Sequence, residues 1–275
     1  MLVLGDSFSE GNVWQSVVSA RSGHTTLTYT YDQISCPSSW LDYALAQPGA
    51  KTVVVESVER VFVGRYAKME RCREDPPLAH EVRPYETQAM RATWPPALHL
   101  SYTFQTALNT WKMRHTPGQF RSGKVINTPL KPGCAAFSSL RADRLLYYTR
   151  DNLKLAWTAQ DLADAVANIK KVQDEFAAHG KTFIYVLVPD KSSTYRDCLA
   201  DDKDSEARKR INPTQALLAA GVTTPDLMHA FQENANRITD LYLPDNTHLS
   251  PAGYILMAGQ IEPLLPPVRT AYAAR

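Results

Sequence analysis

The chain has 275 residues, of which 44% are apolar, and its formal net charge is +2 at pH 7. This length fits one large α/β domain, or one domain with a substantial insertion, and the apolar content allows a full hydrophobic core, which argues against disorder. The small net charge and the lack of a long basic run argue against nucleic acid as a partner. The sequence contains no run of about 18 apolar residues, so no transmembrane helix is predicted.

The first ten residues, MLVLGDSFSE, predict a strand that feeds a helix through a tight turn. Residues 1–4 are apolar, Gly5-Asp6-Ser7 breaks the run, and residues 8–21 are compatible with a helix. Ser7 is therefore expected at the carboxyl edge of a sheet, where ligands of α/β proteins bind. Because the predicted strand begins directly at the first residue, we also expect a natural export signal or membrane anchor to lie outside this chain.

Two strands and a helix are expected after the opening turn. Their predicted positions are 25–31 (strand), 36–40 (loop), 41–47 (helix) and 51–62 (strand). Threonine and tyrosine favour the first of these strands, and Pro48-Gly49 ends the helix. The Val53-Val54-Val55 run in the second strand is typical of a parallel strand that is buried on both faces.

The middle of the chain is less regular. Several Pro-Pro and Pro-Gly pairs divide it into short pieces, so we interpret residues 65–150 as a long insertion or subdomain, with one helix around 102–113. The whole of residues 1–275 is then expected to be a single catalytic domain with this insertion.

A regular α/β pattern resumes near residue 157. Thr158 and Asp161 form a helix-capping signature, and Gly180 supplies the stop signal for that helix. Further elements are predicted at 182–188 (strand), 196–212 (surface helix), 214–220 and 225–234 (short helices), 241–243 (short strand) and 251–265 (final helix). Strands that alternate with helices predict a mainly parallel sheet covered by helices.

A base for Ser7 is available near the other end of the chain. Ser250 and Pro251 are a favourable N-cap and first helical residue, so His248 is expected just before a helix. Asp245 lies three residues earlier on the same turn, where its carboxylate could orient the imidazole while the other ring nitrogen takes the serine proton. An aspartate three residues before a histidine is a weak signal alone, but it is strong together with Gly-Asp-Ser at the first strand.

These two motifs resemble the first and last signature blocks of the SGNH (GDSL) hydrolase superfamily. The matching residues are Gly5-Asp6-Ser7-Phe8-Ser9 and Asp245-x-x-His248. Residues 54–60 and 188–195 are similar to segments of the alginate and peptidoglycan O-acetyltransferase branch, and residues 248–253 are similar to SGNH domains attached to membrane acyltransferases. The resemblance implies a flavodoxin-like three-layer α/β/α fold with Ser7 as nucleophile, His248 as base and Asp245 as orienter.

The chain departs from the superfamily pattern at the oxyanion-hole positions. No glycine lies between Tyr29 and Pro48, and Glu56-Ser57 stands where an asparagine would follow the third strand. The order of the motifs also differs from that of the alginate enzymes, in which the Asp/His pair precedes the serine. The Ser7 N–H is the expected oxyanion donor, and loss of one such donor typically costs about 10²–10³ in rate. Ser57, Arg60 and Lys191 are weaker candidates for oxyanion or substrate binding.

The resemblance implies a serine-dependent O-acetyltransferase that acts on a cell-envelope or secreted polysaccharide through an acetyl-serine intermediate. The implied partners are an acetyl donor and a carbohydrate acceptor, with a membrane acyltransferase partner or upstream domain as the acetyl source, and no cofactor is implied. One alternative is a secreted carbohydrate acetylesterase or lipase-like esterase that uses the same residues. The other is an inactive carbohydrate-binding module, which the altered oxyanion positions favour.

The cysteines bear on the compartment. Four cysteines without a C-x-x-C pair argue against a zinc site, and the histidines show no metal-ligand spacing. An even number allows two disulfides in three connectivities in an oxidising compartment, or four buried free thiols in a reducing one. With the resemblance, the expected location is periplasmic or otherwise extracytoplasmic.

Overall fold

The computed structural model describes residues 1–30, 37–69, 115–134 and 136–268, with a few further positions between 104 and 112. The strands are β1 (Leu2–Gly5), β2 (Leu27–Thr30), β3 (Thr52–Val58), β4 (Phe120–Ser122), β5 (Val125–Pro129), β6 (Arg144–Tyr148) and β7 (Thr182–Val188). The helices are α1 (Ser7–Glu10), α2 (Val13–Ser22), α3 (Pro37–Ala46), α4 (Phe62–Tyr66), α5 (Ala159–Ala178), α6 (Lys191–Thr194), α7 (Asp202–Lys209), α8 (Pro213–Ala219), α9 (Leu227–Asn234) and α10 (Pro251–Ile261). Short 3₁₀ segments lie at Glu59–Val61, Thr149–Ala156, Arg196–Cys198 and Glu262–Leu264.

Four of the strands form a parallel sheet in the order β2-β1-β3-β7. Leu2 lies opposite both Leu27 and Val53, and β3 pairs with β7 along its whole length. The carboxyl ends of β1, β3 and β7 therefore meet at one edge of the sheet. The predicted α/β class with a mainly parallel sheet is confirmed.

Both faces of the parallel sheet are buried, as the valine run in β3 predicts. Val54 faces a core that includes Trp14 of α2 and Phe231 of α9. Val53 and Val55 face the opposite core, which is built mainly from α3, α4, α5 and α8. Because each fully buried side chain of this size contributes about 1.5–3 kcal/mol, the two layers of helices hold the central strands firmly. The residues at the carboxyl edge are thus carried by a rigid scaffold.

The described part of the predicted insertion contains a second sheet. Strands β4, β5 and β6 form an antiparallel sheet, and its apolar side chains Ile126, Leu145 and Tyr147 join the same core as Val54. A disulfide between Cys134 and Cys198 links this region to the segment that follows α6. Residues 70–103 lie outside the described residues, and so does half of the predicted helix at 102–113. The single-domain interpretation of residues 1–275 stays a prediction.

Several local predictions are confirmed by the capping contacts. Thr158 and Asp161 form a capping box at the start of α5, with hydrogen bonds in both directions. Ser250 caps α10 by accepting from the Gly253 N–H at 3.3 Å, and Pro251 occupies the first turn. Gly180, which follows α5, has φ +67°, a conformation that glycine adopts at no steric cost.

Other boundaries differ from the prediction. Residues 37–40 belong to α3 rather than to a loop, since Pro37 takes the first helical position, which tolerates proline. Strand β3 ends at Val58, where the chain turns into a 3₁₀ segment, instead of continuing to residue 62. The predicted strand at 241–243 is one antiparallel bridge between Tyr242 and Leu249, which closes a turn. The charged stretch 196–212 is not entirely a surface helix, because Arg208 of α7 is buried.

Candidate active site

The turn after β1 places Ser7 at the carboxyl edge of the parallel sheet. Strand β1 ends at Gly5, Asp6 caps α1, and Ser7 is the exposed first residue of that helix. A Cβ at Gly5 would lie 2.3 Å from Ser9 Oγ and 2.8 Å from Glu56 Oε2. Glycine is therefore required at this position, because any side chain would collide with the groups that hold the turn.

Two acidic side chains fix the conformation of this turn. Asp6 accepts hydrogen bonds from the Phe8 N–H at 3.1 Å and from the Val58 N–H at 2.7 Å, so it ties the turn to the end of β3. Glu56 accepts from the Asp6 N–H at 3.0 Å and from Ser9 Oγ at 2.7 Å. Glu56 is completely buried, and burial followed by the Asp6 charge raises its pKa well above the usual value. Glu56, within β3, is therefore a buried acid that holds the turn.

Ser7 and His248 meet although 241 residues separate them in sequence. His248 Nε2 lies 2.9 Å from Ser7 Oγ, and His248 Nδ1 lies 2.8 Å from Asn246 Oδ1. The tautomer with its proton on Nδ1 satisfies both contacts: Nδ1 donates to Asn246, and Nε2 accepts from the serine hydroxyl. This arrangement can remove the proton of Ser7 as its oxygen attacks an electrophile.

Asp245 does not occupy the predicted place beside the histidine. Asp245 is exposed, and within the described part of the chain no hydrogen bond joins it to His248. Asn246 Oδ1 also accepts from the Thr247 N–H at 2.6 Å, which folds its side chain back over the turn and toward the ring. The local turn thus directs the amide of Asn246, rather than the carboxylate of Asp245, at Nδ1.

The surroundings of His248 favour its neutral form. Partial burial, followed by the positive charge of Arg60, lowers the pKa of His248, while the Asp6 and Glu10 carboxylates act in the opposite direction. The ring also packs against Phe8, with centroids 5.0 Å apart. A neutral imidazole at neutral pH can act as a general base.

Arg60 connects this edge to a group of buried charges. Its Nη1 lies 2.6 Å from Asp190 Oδ1 and 3.5 Å from Asp151 Oδ1, and its guanidinium lies over the Tyr148 ring at 5.6 Å. Beneath it, Lys154 Nζ lies 3.0 Å from Glu59 Oε2. We call Glu59, Arg60, Asp151, Lys154 and Asp190 the buried ion cluster. Glu59 and Arg60, neighbours in sequence, therefore pair with different residues instead of with each other.

The cluster joins three elements at the same edge of the sheet. Glu59 and Arg60 follow β3, Asp190 follows β7, and Asp151 and Lys154 belong to the 3₁₀ segment after β6. Asp151, Lys154, Asp190 and Glu59 are fully buried. Burial, followed by the Asp151 charge, raises the pKa of Asp190 to about 8, and the cations of Lys154 and Arg60 oppose that rise.

Ser57 and Lys191, the other predicted binding candidates, have partners within the protein. Ser57 is completely buried, and its Oγ accepts a hydrogen bond from Arg65 at 3.0 Å. Lys191 Nζ donates to the carbonyls of Leu243, Pro244 and Asn246 at 2.6, 3.1 and 3.0 Å. Burial lowers the pKa of Lys191 to about 7, whereas nearby carboxylates raise it. Neither residue is brought into hydrogen-bond contact with Ser7 or His248 among the described residues.

The described ranges contain neither a candidate metal centre nor a candidate membrane span. No group of three or more His, Cys, Asp or Glu side chains there is arranged to hold a metal ion. Likewise, none of the helices in the described part is both long enough and apolar enough to cross a membrane.

Two comparisons with known proteins found similarity to parts of the chain. Residues 142–269 match the family model of the SGNH hydrolase-like domain of acetyltransferase AlgX. Over 129 residues the chain is 22% identical to the probable alginate O-acetylase AlgJ of Azotobacter vinelandii, which covers 46% of this chain and 33% of that protein. The chain thus matches about a third of the length of this relative. No solved structure matches the chain.

These matches confirm the predicted resemblance. Residues 142–269 resemble an SGNH hydrolase-like acetyltransferase domain, and the chain is similar in part to an alginate O-acetylase. The matched region contains Lys191, Asn246 and His248, but Ser7 lies outside it. The assignment of Ser7 as a candidate nucleophile therefore depends on the geometry of its turn and on its contact with His248.

The sequence did not predict the roles of three residues at this site. Glu56 holds the nucleophile turn, Asn246 contacts the histidine, and Lys154 neutralises buried acids. A glutamate directly after three core valines was a usable signal, because an acid in a buried strand needs partners. The apolar neighbours Leu153 and Leu155 suggest that Lys154 is the exposed residue of the three, yet both leucines are exposed and the lysine is buried.

Proposed function

We propose that the protein is a serine-dependent O-acetyltransferase that acts on a cell-envelope or secreted polysaccharide through an acetyl-serine intermediate. The observation that carries the proposal is the 2.9 Å contact between Ser7 Oγ and His248 Nε2. The relationship to the SGNH alginate O-acetyltransferase-like branch supports the acetyl group as the cargo and a polysaccharide as the acceptor.

The first half-reaction loads the serine. Ser7 Oγ attacks the carbonyl carbon of an acetyl donor while His248 Nε2 takes the hydroxyl proton, which gives a tetrahedral intermediate and an imidazolium. When that intermediate collapses, the bond to the donor oxygen breaks and His248 returns the proton to the leaving group. The products are acetyl-Ser7, the deacylated donor and a neutral histidine.

The second half-reaction reverses these roles with a sugar hydroxyl. His248 removes the proton of the hydroxyl, whose oxygen attacks the acetyl carbonyl of Ser7. Collapse breaks the bond to Ser7 Oγ, which regains a proton from the imidazolium. The acetyl group ends on the sugar, and the enzyme is regenerated without any cofactor.

The negative charge of each tetrahedral intermediate needs stabilisation. We assign this role to the Ser7 N–H at the start of α1 and to the positive field of Arg60. The influence of Arg60 on the pKa of His248 supports the second assignment, because it places the cation within electrostatic reach of the reacting groups. The Asn246 side chain, by its contact with Nδ1, is assigned the orientation of the imidazole, a role that the sequence prediction gave to Asp245.

We further propose that the protein works outside the cytoplasm and receives acetyl groups from a membrane acyltransferase. The Cys134–Cys198 disulfide supports the location, since such bonds persist mainly in oxidising compartments. Acetyl donors of the cytoplasm are absent there, so a membrane protein must supply the acetyl group or an acetylated carrier.

The proposal is tested by acylation of Ser7. The wild-type protein is mixed with p-nitrophenyl acetate, and intact-protein mass spectrometry measures the added acetyl group while nitrophenol release measures turnover. Ser7→Ala should lose both signals, with turnover reduced by at least about 10³-fold, because the nucleophile of such a site cannot be replaced by its neighbours. Retention of the acetyl group by Ser7→Ala would contradict the assignment.

The acceptor is tested on the acetylated protein. Candidate oligosaccharides are added, and mass spectrometry looks for acetylated sugar. The control for Ser7→Ala is Ser16→Ala, which changes an exposed serine on α2 and should behave as wild type. Ser9→Ala is unsuitable as a control because Ser9 holds the turn. Release of free acetate alone across a broad panel would point to an esterase instead.

A further inference from the structure

Residues 243–248 form the turn that carries His248, and we call them the histidine turn. The turn is closed by the Tyr242–Leu249 bridge and by a 3.0 Å hydrogen bond from the Leu243 N–H to the His248 carbonyl. Its tip is exposed at Asp245 and Asn246. A short exposed turn of this kind has few packing contacts of its own, so its position must be fixed from below.

Lys191 lies directly beneath the turn. It is the first residue of α6, just after β7, and only 1% of it is exposed. Its ammonium group has three protons, and the carbonyls of Leu243, Pro244 and Asn246 accept at 2.6–3.1 Å. The Phe137 ring, 4.7 Å from Nζ, completes the surroundings. All three acceptors belong to the histidine turn.

The contacts form a short path from the ammonium to the reacting atoms. Lys191 binds the carbonyl oxygen of Asn246, and Asn246 Oδ1 contacts His248 Nδ1. On the other side of the ring, Nε2 contacts Ser7 Oγ. A displacement of the turn therefore moves the orienting amide and the base together, and a misplacement of about 1 Å can cost on the order of 10²-fold in rate.

We propose that Lys191 is a positioning residue, whose ammonium holds the histidine turn at the distance from Ser7 that acyl transfer requires. This inference rests on the proposed function for its effect on rate, but its structural part stands independently. It assigns to Lys191 a role different from direct binding of a substrate.

The chain provides a matched control for this proposal. Lys181, just before β7, also directs its ammonium at backbone carbonyls, those of Ala44 and Gln47. It therefore makes the same type of contact at the amino end of the same strand, where the end of α3 is held. Loss of Lys181 should lower stability without moving the histidine turn.

The test compares Lys191→Met with Lys181→Met by two measurements. Hydrogen–deuterium exchange should increase in peptides that cover residues 241–249 for Lys191→Met, and in peptides that cover residues 44–50 for Lys181→Met. The rate constant for acetylation of Ser7 by p-nitrophenyl acetate should fall about 10- to 100-fold for Lys191→Met, with little change in KM, and stay unchanged for Lys181→Met. If Lys191→Met does not fold, Lys191→Arg serves, because it keeps the charge but its planar fork fits three converging carbonyls poorly.

The outcomes separate this inference from the proposed function. Equal acetylation rates in Lys191→Met and Lys181→Met, with a wild type that is acetylated at Ser7, would overturn the inference alone. If the wild type is not acetylated at Ser7, the proposed function fails, and the exchange measurement still decides whether Lys191 holds the turn. Unchanged exchange at residues 241–249 would overturn the inference in either case.

Discussion

The exposed Ser7–His248 pair and the buried ion cluster lie at the same edge of the sheet but are built in opposite ways. Ser7 is exposed and His248 half-buried, and within the described part of the chain each reacting atom has one hydrogen-bond contact, the one between them. The cluster beneath holds five charged side chains, of which four are fully buried and Arg60 is 11% exposed at its side chain. In the proposed reaction this contrast is a division of tasks: protons move at the exposed pair, while the charges of the buried ion cluster set the electric field around it.

Arg60 is the residue that belongs to both regions. Its guanidinium is fixed by Asp190 on one side, and its charge lowers the pKa of His248 on the other. A charge held this firmly needs no rearrangement when the reaction begins, which is what makes such groups effective in catalysis. Variants in the two regions should therefore differ in kind: stability should change in the cluster, and rate or pH profile at the exposed pair.

The largest effect on stability is expected for Lys154→Met. This change removes the cation that contacts Glu59 and lies 3.7 Å from Asp190, and it leaves buried carboxylates without compensation. Breaking a buried pair by removing one partner costs about 3–5 kcal/mol in the free energy of unfolding. Urea denaturation measures the loss.

The matched control is Lys170→Met, which removes an exposed ion pair with Asp174 on α5 and should cost no more than about 0.5 kcal/mol. The loss in Lys154→Met should also grow as pH rises above about 8. The folded-state pKa of Asp190 is about 8 and removal of the Lys154 cation raises it further, so Asp190 is protonated in both proteins at lower pH and only the wild type ionises it at little extra cost above that pH. Equal losses of unfolding free energy in Lys154→Met and Lys170→Met would show that the buried ion cluster stabilises the fold no more than an exposed ion pair does.

An intermediate effect, on rate, is expected at the histidine turn. Asn246→Ala removes the acceptor of the Nδ1 proton and should lower the acetylation rate of Ser7 about 10- to 100-fold with little change in stability. Asp245→Asn, one residue earlier, should have a small effect because its side chain is exposed and has no hydrogen bond to the ring among the described residues. Stopped-flow measurement of nitrophenol release compares the two. The reverse order of effects would restore Asp245 as the orienting residue, as the sequence motif predicted.

Arg60→Gln should lower the rate, because it removes a charge assigned to the tetrahedral intermediate, and the smallest expected effect is the accompanying shift of its pH profile. His248 acts as a base only when it is neutral, so activity should be lost as pH falls through its folded-state pKa, which burial and then the Arg60 charge hold below the ordinary histidine value. Removing the Arg60 charge raises that pKa, and the acid limb of kcat/KM should move to higher pH. Arg237→Gln, an exposed arginine on the segment after α9, should leave the limb in place. If the acid limb of kcat/KM does not move in Arg60→Gln, the Arg60 charge does not influence the pKa of His248.

The sequence predicted the scaffold better than the details of the site. The Val53-Val54-Val55 run and residues 182–188 identified the central parallel strands, since burial on both faces leaves an apolar signature that needs no tertiary information. The capping residues Thr158 and Ser250 located two helix starts for the same reason. These signals are local, and local signals are readable from one sequence.

The partners of charged residues were not readable in this way. The pairing of Arg60 with Asp190 spans 130 positions, and that of Lys154 with Glu59 spans 95. A solvated charge and a buried, paired charge have the same letter in the sequence, so Lys191 could be expected in solvent although it is buried. The choice between Asp245 and Asn246 depends on how one turn folds its side chains, which spacing alone does not specify.

The separation of Ser7 and His248 along the chain has a consequence for the order in which the protein becomes reactive. During synthesis the nucleophile emerges early, but the base that activates it lies 241 residues later. Helix α10, which follows the histidine, packs against α2, which follows the serine, so the two halves of the site are joined only when the late segment docks on the early one. The entropy of closing so long a loop must be overcome before contacts this distant in sequence contribute stability. An unfinished or unfolded chain thus carries an unactivated serine, and the proposed acyl transfer is confined to molecules that have completed folding.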